Sequence, residues 1–259
     1  MPEPRGRLAA PHALQSHLGG LSRTSLRFRG YFRENYTPTE SQRLALIAQG
    51  VRDVRVLGRG VDVALFNPRF RSPAVRQALL QPDEECMFLY VGRLSSEKNI
   101  DSLASMIATV PRARLVVVGD SPKRAQLERR FRGLPATFLD ARFDRELATL
   151  YASADVFSFP SLTETFGQVV QEAMASGLAV LAYRAGGVQD LFRHEEEGNL
   201  CAPAMTGNGF RPRECSQAAR RCVRGWVPTH GRPRSIAAGT AFSPGFCRTM
   251  PIWRISATP

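Results

Sequence analysis

Two glutamates eight residues apart, Glu164 and Glu172, stand in the stretch SLTETFGQVVQEAMASG at 161–177. An ionised carboxylate only accepts hydrogen bonds, so it suits ligands rich in hydroxyl groups, such as a ribose diol or a hexose. Earlier in the chain, Arg93 and Lys98 stand five residues apart in VGRLSSEKN. Two cations so close repel each other unless an anion lies between them, and a diphosphate is the usual one. Gly167 and the pair Gly186–Gly187 let a backbone approach a ligand closely. Solvated surface charge, or a plain turn for the glycines, is the alternative for each. Where the fold puts them decides between the readings.

The elements that must position these residues alternate along 31–202. TESQRLALIAQG reads as a helix capped by Thr39, with Gln42 at the third position. VRDVRVL reads as a strand and GRGVDVALFNP as a turn-rich crossing segment. MFLYVG and ARLVVVGD are short apolar runs, the mark of strands buried on both faces. Between them, DSLASMIATV has helical spacing and stops before Pro111. Ser121 and Pro122 suit the N-cap and first turn of the helix SPKRAQLERRF. ATFLD, the helix RELATLYASA, the strand DVFSFP, the helix FGQVVQEAMASG and the strand LAVLAYRA continue the rhythm.

Alternation this regular implies an α/β fold with a doubly wound parallel sheet. In such sheets ligands bind beyond the carboxyl ends of the strands. Arg93 and Lys98 follow MFLYVG, Glu164 follows DVFSFP, and Gly186–Gly187 follow LAVLAYRA, so all fall on that edge. The helix opening near Phe166–Val169 offers unpaired backbone N–H groups and a positive dipole end, which is a phosphate cradle. Glu172, about two turns in, suits a ribose diol, and Glu164, before the helix, a hexose. A carboxylate pair around a phosphate cradle fits a sugar nucleotide.

Composition removes competing classes. Hydrophobic residues make up 43% of the 259 residues, enough for a soluble core. No run approaches the ~18 apolar residues of a membrane span. Five cysteines without metal-ligand spacing argue against a disulfide framework or zinc site and for a reducing cytoplasm, with Cys86 and Cys201 as core thiols. His12, His17, His194 and His230 fall outside the motifs. The net charge is +12, but residues 203–259 hold nine Arg and one acid, Glu214, and so carry +8 of it. With no aromatic interleaving or recognition fold, the charge carries no nucleic-acid reading.

The segments VGRLSSEKN, VVVGD, DVFSFPSLTETFGQVVQEAMASGLAV and AGGVQDL, in this order, resemble the nucleotide-binding half of a retaining glycosyltransferase of the GT-B fold, glycosyltransferase family 4. GRGVDVALFNP resembles the family's segment leading out of the first domain, with Arg59 where asparagine is common. The resemblance covers residues 36–202 and implies a Rossmann-like C-terminal domain. It further implies that Arg93 and Lys98 hold the donor diphosphate and that Glu172 takes the ribose. Glu164 and the backbone of Phe166–Gly167 would meet the transferred hexose, and Val169 N–H a phosphate oxygen. Glu164, Arg93 and Lys98 are the expected catalytic residues. The implied donor is a UDP- or GDP-sugar and the implied acceptor a lipid or glycan, with peripheral contact at the inner face of the membrane. No metal or other cofactor is expected, and no Asp-x-Asp occurs in the chain.

The expected organisation is a remnant or unstructured segment at 1–35, a crossing segment at 36–84, a donor-binding domain at 85–202 and an aberrant, disordered tail at 203–259. The crossing segment would come from an acceptor domain that the chain lacks. The tail's Arg, Pro, Gly, Ala and Cys bias reads as translation in a shifted frame. Two readings stay open: a glycosyltransferase that is catalytic when complete or complemented, and a non-catalytic remnant that binds nucleotide sugars.

Overall fold

The computed structural model describes residue 26, residues 28–191 and the backbone of 198–201. The four histidines, the acidic run at 194–197 and the tail at 203–259 lie outside the described residues.

The first described elements form a small βαβ unit. Strand β1 (Asn35–Thr37) pairs in parallel with β2 (Val54–Val56), and helix α1 (Glu40–Ala48) connects them. Thr39 caps α1, its side chain accepting from Gln42 N, as the sequence implies. Leu46, Val51 and Val54 form the unit's own small core. Strand β1 has no apolar alternation to announce it, and β2 is shorter than the whole of VRDVRVL. Helix α2 (Pro73–Leu79), capped by Ser72 through Val75 N, follows in a stretch with no expected helix.

The main sheet has six strands: β3 (Cys86–Val91), β4 (Ala113–Val118), β5 (Ala136–Leu139), β6 (Val156–Phe159), β7 (Ala179–Tyr183) and β8 (Gly198–Cys201). All pairings are parallel and the order is β5-β4-β3-β6-β7-β8. In chain order within the sheet this is 3-2-1-4-5-6, the doubly wound arrangement. The direction of winding reverses between β3 and β6, and that crevice is where such sheets keep a ligand.

Every residue of β3, β6 and β7 is buried, which explains why their sequences read as continuous apolar runs. Alternate residues feed two cores. Phe88, Tyr90, Leu115, Val117 and Leu181 pack under α3 (Ser102–Ile107) and α4 (Arg124–Arg130). Met87, Leu89, Val116, Phe157 and Val180 pack under α5 (Asp144–Ser153) and α6 (Gln168–Ala175). Each large side chain fully buried this way contributes about 1.5–3 kcal/mol.

One expected cap is corrected. Ser121 does not open α4, which begins at Arg124 after Lys123. Instead the Ser121 hydroxyl accepts from Lys123 N at 3.1 Å, closing a turn that Pro122 tolerates but that delays the helix.

At the edge away from the site, Asp155 ties the crossing segment to the sheet. Its carboxylate accepts from Arg71 at 2.8 Å, Arg76 at 2.7 Å and Met87 N at 2.8 Å. The same two arginines donate to the last carbonyls of α5, those of Ala152, Ser153 and Ala154, where the helix dipole favours cations.

Candidate functional site

Strand β3 ends at Val91, and the chain turns through Arg93 into a single 3-10 turn, Ser96–Lys98. Asn99 closes that turn in the left-handed conformation, which asparagine tolerates. On the other side of the crevice, β6 ends at Phe159 and leads through Glu164 to Gly167. Gly167 has φ +83°, a left-handed N-cap that glycine adopts without strain, and α6 starts at the next residue.

Strand order therefore brings Lys98 and Glu164 together. Lys98 Nζ donates to Glu164 Oε2 at 2.8 Å, with both side chains only 20% exposed. Lys98 Nζ also lies 5.9 Å from the centre of the Phe159 ring, at the outer limit of a cation–π contact. Burial pushes the Glu164 carboxyl up, but Lys98 and the Phe166 and Gly167 amides outweigh it and hold it below its ordinary value. The second oxygen, Oε1, accepts from Thr165 N at 3.2 Å and faces Phe166 N at 3.5 Å.

Arg93 lies apart from this pair. Its side chain is 72% exposed and bonds Glu97 at 3.0 Å, while its carbonyl accepts from the buried Tyr90 hydroxyl at 3.1 Å. Burial, then the charges of Glu164 and Glu97, push the Tyr90 phenol up, so it stays a donor. Lys98 and Glu164 meet directly; Arg93 is an exposed arm on the same loop. Each cation thus faces an acid here, Lys98 facing Glu164 and Arg93 facing Glu97.

Glu172, in the second turn of α6, is half-buried and accepts from Tyr151 Oη at 3.0 Å. Burial pushes its carboxyl up, and the Tyr151 bond opposes this in part. Phe166 and Gly167 are buried and Val169 is half-buried against the α6 core. Among the described residues, the Gln168 and Val169 amides donate to no protein group, as first-turn amides of a helix do.

Gly186 and Gly187 serve the chain itself. Gly187 N donates to the Glu164 carbonyl at 2.8 Å. A Cβ on Gly186 would lie 2.2 Å from Glu164 O, and one on Gly187 2.1 Å from Thr165 O. The loop after β7 thus holds the backbone of Glu164 and Thr165 in place. Asp190, in the same loop, accepts from Ser41 N at 2.8 Å and Ser41 Oγ at 2.7 Å, at the start of α1. Gln42 Nε2 donates to Thr165 O at 2.9 Å, so the βαβ unit is docked on the site loop.

Tyr90, Tyr151 and Asp190 are the site residues that spacing did not disclose. The phenols lie in apolar patterns and looked like core; their polar tips on buried faces were the only available signal. Among the described residues, no three His, Cys, Asp or Glu side chains are grouped to hold a metal ion, and no helix is long and apolar enough to cross a membrane.

The family model described as "Glycosyl transferases group 1" matches residues 72–206. The chain belongs to that family. It is 42% identical over 170 residues to sulfoquinovosyl transferase SQD2 of Arabidopsis thaliana, covering 65% of this chain and 32% of that protein. It is 44% identical over 164 residues to a GDP-mannose-dependent alpha-mannosyltransferase of Mycobacterium tuberculosis, covering 63% of this chain and 42% of that protein. Among solved structures, Anabaena Alr3699/HepE in complex with UDP-glucose aligns with TM-score 0.64 and 26% identity, over 79% of this chain and 59% of that one. The matched residues thus span 32% and 42% of the length of these two curated relatives.

Proposed function

We propose that the chain is the donor-binding part of a glycosyltransferase that takes a hexose from a UDP- or GDP-sugar. The observation that carries this is the Lys98–Glu164 pair, set in the crevice where the sheet's winding reverses and beside the opening of α6. Relatives named for GDP-mannose and a neighbour bound to UDP-glucose support the donor class.

In this reading the ligand's charged middle lies between the β3 loop and α6. A lysine ammonium has three N–H donors, and Glu164 uses one, leaving two for a phosphate oxygen. Arg93 swings from Glu97 to the diphosphate, and the Gln168 and Val169 amides meet another phosphate oxygen. The Glu164 carboxylate grips hexose hydroxyls with the Phe166–Gly167 backbone, and Glu172 takes the ribose.

Transfer breaks the bond between the anomeric carbon and the diphosphate oxygen, which keeps the electron pair. The acceptor hydroxyl forms the new bond to that carbon and passes its proton to the leaving diphosphate oxygen. Charge grows on the leaving diphosphate, so Arg93, Lys98 and the start of α6 stabilise it in place of a metal. Retention at the anomeric carbon and a lipid or glycan acceptor belong to the same reading. Peripheral membrane contact would follow from a lipid acceptor.

Binding of UDP, GDP, UDP-glucose and GDP-mannose to the full chain tests the proposal by calorimetry. Charge-assisted bonds of about 1.5–3 kcal/mol imply that Arg93→Ala weakens binding roughly 10- to 150-fold. Equal affinity in wild type and variant would overturn the assignment. Binding without turnover, even with an acceptor domain supplied in cis, would favour the second reading, a non-catalytic remnant.

A further inference from the structure

We propose that Tyr151 is the positioning residue for Glu172, orienting its carboxylate as an acceptor for both hydroxyls of the nucleotide ribose. The proposal rests on the donor-binding reading above.

Tyr151 belongs to α5, the helix before β6, and its side chain is fully buried. Its ring is fixed from two directions. Phe157 of β6 lies tilted at 5.6 Å, and Phe66 of the crossing segment meets it edge-on at 5.6 Å. A ring clamped in this way holds its hydroxyl at one point, and that point is 3.0 Å from Glu172 Oε2.

Among the described residues, this hydroxyl is the Glu172 side chain's one hydrogen-bond partner. The bond occupies one of about four acceptor sites on a carboxylate. Oε1 keeps both lone pairs and Oε2 keeps one, enough to accept from two neighbouring hydroxyls. Burial pushes the Tyr151 phenol well up, so its proton stays on the phenol and the bond keeps one direction. Burial also pushes Glu172 towards its neutral form, in which it would lose acceptor capacity, and the Tyr151 bond works against that.

A core tyrosine with a satisfied hydroxyl would show the same contacts, so the test must read ribose recognition and not only folding. Full-length wild type, Tyr151→Phe and Glu172→Gln are titrated with UDP, GDP and their 2′-deoxy counterparts, and each melting temperature is measured. Wild type should prefer the ribonucleotide about tenfold, the size of one hydrogen bond to a charged group. Tyr151→Phe should remove most of that preference by weakening the ribonucleotide more than the deoxy form, which offers Glu172 only its 3′ hydroxyl. A Tyr151→Phe variant that melts lower but keeps the wild-type preference would make the tyrosine merely structural and overturn the proposal. Loss of preference in Glu172→Gln but not in Tyr151→Phe would likewise overturn it, with the ribose role of Glu172 intact. If Glu172→Gln keeps the preference, the ribose reading itself fails. Should Tyr151→Phe not fold, Phe66→Leu loosens the ring without touching the hydroxyl; an unchanged preference there would count against Tyr151.

Discussion

Replacing Lys98 with methionine keeps the side chain's approximate volume and removes the charge facing Glu164. The unbranched, flexible methionine side chain can fill the space of the lysine stem near Phe159, so the change tests mainly the ion pair. Both partners are only 20% exposed, so neither regains much water when the other is lost. A hydrogen bond to a charged group is worth about 1.5–3 kcal/mol. For a chain of this size each kcal/mol moves the melting temperature by about 2–4 °C. Lys98→Met should therefore melt roughly 3–12 °C lower at pH 7.

The pH dependence gives the sharper test. In the wild type the folded-state value of Glu164 is lowered, so its contribution is complete above the unfolded value and lost as pH falls through the lowered one. Without Lys98, burial is the largest remaining influence, opposed by the backbone amides of 165–167. The folded-state value should then rise, so the carboxylate adds less stability at neutral pH than it does in the wild type. The melting difference should thus be small near pH 4 and grow towards about pH 7. Thermal unfolding of both proteins across that range is the assay. Equal melting temperatures at pH 7, or a gap that does not vary with pH, would refute the argument. Glu97→Gln serves as the control, because its pair with the 72% exposed Arg93 should contribute under about 1 kcal/mol.

Asp155→Asn should destabilise the full chain by about 2–4 kcal/mol in urea unfolding, because two arginines lose their shared carboxylate. Arg76→Ala combined with it should add much less than its own single effect. Gly187→Ala places a methyl 2.1 Å from Thr165 O, so the loop after β7 must shift. We expect weaker nucleoside diphosphate binding together with a loss of about 1–3 kcal/mol in unfolding free energy; unchanged values for both would show that the loop yields freely. For the tail, translating the gene's other two frames downstream of the Asn199 codon should yield amphipathic helical sequence in one frame. Stop codons in both frames would leave residues 203–259 as a true extension.

Five of the six strands of the main sheet were legible because their information is local, whereas β8, Gly198–Cys201, has no apolar run to announce it. Strands β3, β4, β6 and β7 announce themselves by apolar runs of the right length, and alternation with helices leaves few parallel arrangements. Strand β1 and helix α2 were not legible, since three-residue NYT has no periodicity and PAVRQAL has only two large apolar residues to place on a face. At the site, spacing found the loops but did not disclose which side chains meet across the crevice. Arg93 and Lys98 are close in sequence, and that closeness suggested a shared anion. Yet one short 3-10 turn with a left-handed Asn99 sets Lys98 against an acid 66 residues away, because β3 and β6 are neighbours in the sheet. The Tyr151–Glu172 bond has the same origin, since it joins α5 to α6 across β6. Sequence spacing ranks residues by distance along the chain, whereas the charge on a site carboxylate is set by what stands across the crevice. In this chain that partner is a lysine for Glu164 and a phenol for Glu172. The two acids are therefore held in opposite senses, Glu164 below its ordinary value and Glu172 above it. Among the described residues Glu164 is held by Lys98 and its neighbouring amides, whereas Glu172 has the Tyr151 hydroxyl alone.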